Sequence, residues 1–352
     1  ASSEKEKINM INVSIVGATG YTGIELIRLL MNHPWVKIQQ ITSESFKGKE
    51  LRDIYPHLKN RFNKTLSSLD VNQIAESSEV VFTALPHGIS MGIVPELIAR
   101  GLKVIDLSAD FRYNSPKGYE LSYQPHLKPE LISEAAYGLP EINKSAIQKA
   151  DLIANPGCYP TASILALYPL LKEGLLSPEN IIVDAKSGIS GAGRKPNQTV
   201  HFCESAGNFK AYKVGEHRHQ SEIIEKLSDW SNQKVDLIFT PHLLPVKRGI
   251  LATCYGILEE EKMRSDLIAC YQKYYNQSNF IRIMTDNDPE LKFVVGSNYL
   301  DLTVKKTGPK KIVVIAAIDN LIKGSAGQAI QNFNINQDYP ETLGLENTGT
   351  YL

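Results

Sequence analysis

The chain has 352 residues, 42% hydrophobic and 22% charged, with Lys+Arg and Asp+Glu both at 38. Length points to two domains, balanced charge excludes a global field for nucleic acid or a membrane surface, and no apolar run approaches a membrane span. The four cysteines (158, 203, 254, 270) form no CxxC pair or zinc pattern, which fits a reducing compartment. Residues 1–7 read as a solvated tail, left by leader removal or by trimming.

The chain opens with a β-branched strand over 11–16, then a loop over 17–23 and a helix from Ile24. Further strands are expected at 36–41, 80–83, 103–107 and 152–154. Strand–helix alternation predicts a doubly wound parallel sheet, an α/β fold. Beyond residue 158, long β-rich segments at 181–185, 235–240, 251–258, 299–304 and 311–318 are separated by fewer helices. They predict a second domain of α+β type with a mixed or antiparallel sheet. A glycine-led helix over 324–331 is expected to return to the first domain. The predicted division is therefore 1–157 with 324–352, and 158–323.

Gly17, Gly20 and Gly23 stand between the first strand and the first helix at GxxGxxG spacing, with Ala18, Thr19, Tyr21 and Thr22 between them. Such a loop lets backbone approach a pyrophosphate, which rests on a helix N-terminus. After the second strand, Glu44 is placed to bind a ribose 2′-hydroxyl and select NAD. Ser43, Ser45 and Lys47 are placed to hold a 2′-phosphate and select NADP. A second glycine cluster, 186–194, contains Ser187, Gly188, Gly191, Gly193 and Arg194. Its N–H groups can form an anion nest facing the pyrophosphate or nicotinamide side of a dinucleotide.

Cys158 follows the tight Asn155-Pro156-Gly157 turn at the start of a helical run. Unsatisfied N–H groups and the helix dipole favour its thiolate, the form a nucleophile needs. His217, His219 and Glu222 fall at the start of another helical pattern. Glu222, three residues after His219, shares its face and is expected to orient the imidazole. Either histidine can serve as acid–base partner to the thiol. The HxH spacing lacks a third ligand, so no metal is expected. Arg112, beyond the fourth strand, offers a fork for phosphate or pairs at the surface with Asp110.

In order, GATGYTG (17–23), LSADFR (107–112), YGLPE (137–141), NPGCYPT (155–161), SGISGAGR (187–194), EHRHQSE (216–222) and DNLIKG (319–324) span nearly the whole chain. Together they resemble the N-acetyl-gamma-glutamyl-phosphate reductases of arginine biosynthesis, which are similar in fold to aspartate-semialdehyde dehydrogenases. The resemblance implies a Rossmann domain, a substrate domain carrying the dimer surface, a homodimer or homotetramer, and NADPH as reductant. It implies Cys158 as thioester-forming nucleophile, the His217/His219 motif as acid–base element, and Arg112, Asn155 and Ser187 at the substrate, an acyl phosphate that releases phosphate. Plant members are plastid enzymes, which points to the chloroplast stroma. An acid at Glu44 repels a 2′-phosphate unless turned outward. The related semialdehyde dehydrogenases carry an RVPV-type strand followed by GH, whereas here 243–250 reads LLPVKRGI, with Ile250 at that histidine's place. The alternatives are an aspartate-semialdehyde dehydrogenase, distinguished by substrate, and a non-catalytic NADP sensor, which needs no reactive thiol.

Overall fold

A computed structural model describes residues 10–351. The tail at 1–7 lies outside the described residues. The first sheet is formed by β1 (Ile11–Val16), β2 (Val36–Thr42), β3 (Val80–Thr83), β4 (Lys103–Asp106), β5 (Ala136–Tyr137) and β6 (Leu152–Ala154). Its order is β2-β1-β3-β4-β6-β5, and every pairing is parallel. β3 is buried at all its positions, as a strand covered by helices on both faces must be. Strand order reverses at β1, and the crevice beyond the strands' carboxyl ends at that reversal is where open α/β sheets bind ligands. The glycine loop leaves β1 at that point. The first helix starts at Tyr21 rather than the expected Ile24, so Tyr21, Thr22 and Gly23 form its first turn.

The second sheet holds β7 (Ile181–Gly188), β8 (Lys210–Ala211), β9 (Leu237–Leu244), β10 (Ile250–Ile257), β11 (Ile281–Ile283), β12 (Leu300–Lys306) and β13 (Lys311–Ile318). Its order is β11-β12-β13-β10-β7-β9-β8, with β7·β9 and β11·β12 parallel and the other pairs antiparallel. The sheet is thus mixed. Burial alternates along β7, β9 and β10, the signature of one covered face. The covered face packs on the helix Cys158–Lys172, which is buried from Tyr159 to Leu171. The other face leaves Ile182, Ile238, Tyr255 and Ile257 exposed.

The chain then returns to the first sheet. A π-turn at Ile322–Ala326 leads into the helix Gly327–Asn336, and Ile322, Ala326, Ala329, Ile330 and Phe333 join the same apolar cluster as Val13, Ile15 and Phe82. This helix is buried all round, although it carries Gln328, Gln331, Asn332, Asn334 and Asn336. Each amide donates to a fixed acceptor: Gln328 and Asn332 to Gly138 O, Asn336 to Ile147 O and Ala150 O. Buried polar groups are tolerated when paired in this way. Lys323 Nζ, fully buried, lies 2.6 Å from Glu141 Oε1 and 2.7 Å from Gln331 Oε1.

Removing one partner of a buried ion pair strands the other charge. Lys323→Met is therefore expected to lower stability by about 3–5 kcal/mol in urea denaturation. A loss below about 1 kcal/mol would show that the pair does not pin the returning segment.

Candidate active site

β6 ends at Ala154, and the turn through Gly157 delivers Cys158 as the first residue of its helix, at the boundary of the two sheets. Gly157 caps that helix with ordinary extended backbone (φ −66°, ψ 153°). Its lack of a side chain is what the surroundings demand. A Cβ there would lie 2.6 Å from His219 Nε2 and 3.0 Å from Arg112 Nη1. The imidazole and the guanidinium thus converge on the start of the Cys158 helix. From the far side, Gly324 closes in, where a Cβ would lie 2.8 Å from Cys158 Cβ.

Glu222 does not orient the imidazole, as the shared helix face suggested. Its Oε1 accepts from the Gly157 N–H (3.0 Å) and the Tyr137 hydroxyl (2.8 Å), and its Oε2 accepts from Arg112 Nη1 (3.2 Å). Arg112 is likewise not paired with Asp110, whose carboxylate takes the N–H groups of Gly88 and Met91 and the Tyr119 hydroxyl. Its Nε donates to Asn155 O (2.7 Å) and its Nη2 to Leu107 O (2.8 Å). Burial opposes the Arg112 charge, and Glu222 more than restores it, holding the guanidinium above its ordinary value. Part of the fork is committed to the protein, and the remaining N–H groups are what it can offer a ligand. Asn155 offers less: its amide donates to Ser325 O and accepts from Asn332, so it braces the turn rather than presenting a free group.

The two histidines separate. His217 Nδ1 accepts the His219 backbone N–H (3.1 Å), and its Nε2 lies 3.4 Å from the Tyr212 hydroxyl. His219 turns Nε2 towards Gly157, and its buried Nδ1 has no protein partner. Both rings pack edge-on against Tyr159. Burial, aided by nearby cations, lowers both: His217 to about 4 and His219 well below the usual histidine value. Both are neutral bases at pH 7.

Burial also decides the thiol. It pushes Cys158 up to about 11, while the N–H groups of Tyr159 and Cys158 and the Arg112 charge pull the other way and lose. Burial therefore works against the helix terminus at the sulfur, the opposite direction to the one the sequence suggested.

Three residues that the sequence reading passed over face the same space. His87 follows β3, its Nδ1 accepts the Ala109 N–H, and burial with Arg112 and Arg218 drives it down to about 3. The Arg218 guanidinium lies 4.8 Å above the Tyr123 ring, and the buried Tyr123 hydroxyl has no partner. The detectable signal was position: Ala84-Leu85-Pro86-His87-Gly88 leaves a first-sheet strand at its carboxyl end, as 107–112 does.

The glycine loop fits a dinucleotide. Gly17 needs its φ of +88° and its close approach to Ala84, and Gly23 presses on Ala18, so both are explained by the protein itself. Gly20 is not: its φ of −74° suits any residue, and the nearest atom to a Cβ there is Gly17 O at 3.8 Å. The first helix begins there with no side-chain cap, leaving the N–H groups of its first turn free for an anion. Thr19 Oγ1 pairs with Ser43 Oγ at 2.9 Å. Glu44 is turned away, its Oε1 accepting from the Leu69 N–H at 2.9 Å. Ser45 and Lys47 are exposed, with no side-chain hydrogen bond. In the second glycine cluster, Ser187 Oγ donates to Gly188 O, and Gly188 is required by the backbone of Arg248 packed against it. Gly191 approaches Ser187 Oγ, and Gly193 takes φ +81°. The contact that crosses to the first loop is made by Arg194, whose Nη1 donates to Thr19 O (3.1 Å).

Residues 12–150 match the family model described as the NAD binding domain of semialdehyde dehydrogenase, and residues 158–320 match that enzyme's dimerisation domain. Among solved structures, aspartate semialdehyde dehydrogenase II from Vibrio cholerae superposes with a TM-score of 0.71 at 18% identity, covering 94% of this chain and 99% of that one. The Candida albicans aspartate semialdehyde dehydrogenase with NADP gives 0.69 at 16% identity, with coverage of 94% and 99%. These establish the shared fold. Curated relatives are nearer: N-acetyl-gamma-glutamyl-phosphate reductases from Acetivibrio thermocellus (49% identical over 346 residues) and Halothermothrix orenii (50% over 346) each align with 97% of this chain and 100% of their own length. The chain belongs to the N-acetyl-gamma-glutamyl-phosphate reductase family.

Proposed function

We propose that the chain catalyses the NADPH-dependent reductive dephosphorylation of N-acetyl-gamma-glutamyl phosphate to N-acetylglutamate semialdehyde, a step of arginine biosynthesis, through a thioester on Cys158. The observation that carries this reading is the convergence of His219 Nε2 and Arg112 Nη1 on Gly157, at the start of the Cys158 helix, in a chain about half identical to reductases of that name. Aspartate-semialdehyde chemistry is disfavoured by those names and by Ile250, which is buried at the start of β10 where the cousin carries its histidine.

His219, neutral at working pH, takes the thiol proton as the sulfur attacks the γ-acyl carbon. The carbon–oxygen bond to phosphate breaks, a thioester forms, and His219 returns the proton to the departing phosphate oxygen. Arg112, Arg218 and His87 face the phosphoryl group, the two guanidiniums neutralising its charge. Bound NADPH supplies the hydride that takes the acyl group down to the aldehyde level. His219 then delivers a proton drawn from solvent to the thiohemiacetal oxygen and, as the carbon–sulfur bond breaks, moves the hydroxyl proton to the sulfur. The imidazole alternates between base and acid, which suits a ring whose Nδ1 is left unpaired by the protein. Holding the thiol neutral until substrate arrives makes proton transfer, rather than a standing thiolate, the source of nucleophilicity.

The first sheet, with the returning helix in its core, supports a dinucleotide domain of 1–157 with 324–352 and a substrate domain of 158–323, Ile322 already lying on the first-domain side. The dimerisation-domain match supports an oligomer, and the open face of the second sheet is its natural contact. No helix among the described residues is long and apolar enough to cross a membrane. The plastid stroma is the compartment proposed from the family resemblance.

Cys158→Ala is expected to abolish phosphate-dependent turnover while NADPH affinity stays within about twofold of wild type. His219→Asn should lower kcat by about 10²–10⁴, whereas His217→Asn should lower it by less than tenfold. Equal losses would return the acid–base role to an open choice between the two rings. In ligand-free protein, Cys158 alkylation by iodoacetamide should keep rising from pH 8 to pH 10, because burial pushes the thiol up to about 11. A plateau below pH 8 would mean that the helix terminus does ionise the sulfur.

A further inference from the structure

The second glycine cluster reaches over the first. After β7, the chain makes a short turn at Ile189–Ala192, anchored by Asn320, which donates to Ser190 Oγ (3.0 Å) and accepts from the Gly249 N–H (2.7 Å). Gly193 then adopts φ +81°, ψ −179°, a conformation essentially confined to glycine. That bend sends Arg194 across the cleft. Its guanidinium carbon lies 5.3 Å from the Phe46 ring centroid and 5.1 Å from that of Tyr55. Nη1 donates to Thr19 O, which also accepts from the Tyr55 hydroxyl at 2.8 Å. Nε and Nη2 have no protein partner among the described residues.

These donors meet at one place. Ser43 is the first residue after β2, the position from which such folds read the ribose 2′ substituent. Its hydroxyl is linked to Thr19, on which Arg194 rests. Glu44, the acid that would claim a 2′-hydroxyl, is held by Leu69 instead. Two aromatic faces fix the guanidinium plane, and a fixed fork with free N–H groups is the arrangement that grips a phosphate. Lys47, the nearest cation along the chain, has no such anchorage.

Building on the NADPH reading above, we propose that Arg194, supplied by the second domain, binds the 2′-phosphate of the dinucleotide and is the residue that selects NADPH over NADH. Cofactor choice is then made across the cleft, not within the Rossmann domain, and nucleotide binding draws the second glycine cluster onto the first.

The test is calorimetric titration of full-length wild-type and Arg194→Gln protein with NADPH, NADH, 2′,5′-ADP and 5′-ADP. The variant should bind NADPH and 2′,5′-ADP about tenfold to a hundredfold more weakly, with NADH and 5′-ADP within about twofold of wild type. Arg194→Lys, which keeps the charge without the fork, should fall between. Parallel weakening of NADPH and NADH would reduce Arg194 to a packing contact and overturn the proposal, as would an unchanged NADPH preference. If wild-type protein itself binds both dinucleotides equally, the NADPH reading fails and takes this inference with it, an outcome visible before any variant is made.

Discussion

Glu222 lies fully buried where three stretches of chain meet, and its carboxylate holds all of them. The turn before Cys158 contributes the Gly157 N–H, the strand β5 contributes the Tyr137 hydroxyl, and the loop after β4 contributes Arg112. Each would be costly to bury alone, and together they satisfy one another. The result is that a guanidinium and an imidazole, drawn from the two matched domains, are both fixed against the turn that carries Cys158. His219 is placed by the same helix that carries Glu222, so the charge that anchors the turn also sets where the imidazole lies.

The same burial governs reactivity. A helix start favours thiolate, but desolvation of the half-buried Cys158 outweighs the dipole and pushes its thiol up. A resting thiol is less open to oxidation than a resting thiolate, which suits the nucleophilic role proposed for Cys158. Arg112, partly committed to Glu222 and two backbone carbonyls, acts as a rigid wall of positive charge more than as a mobile clamp. Arg218 adds a second cation over the Tyr123 ring, while His87, held neutral by burial, and the unpartnered Tyr123 hydroxyl bring no charge.

What the sequence made legible was local. The glycine loop, the Cys158 turn and the strand–helix alternation each depend on residues within a few positions of one another, and the doubly wound and mixed sheets follow from them. What stayed hidden depends on distance along the chain. The i, i+3 spacing put Glu222 and His219 on one face but could not show that Arg112, 110 residues away, would claim the carboxylate. His217 and His219 are equivalent as a motif, and only Gly157 and Tyr212 tell them apart. Dipole effects on Cys158 were readable, whereas the packing that reverses them was not. Arg194 was visible only as the end of a glycine-rich string until the fold laid it on Phe46 and Tyr55.

The proposed covalent route has a direct test. With reductant withheld, wild-type protein mixed with N-acetyl-gamma-glutamyl phosphate should release one phosphate per site and gain one acyl group, located on Cys158 by peptide mass spectrometry. An unmodified Cys158 under conditions that support turnover once NADPH is added would contradict the account.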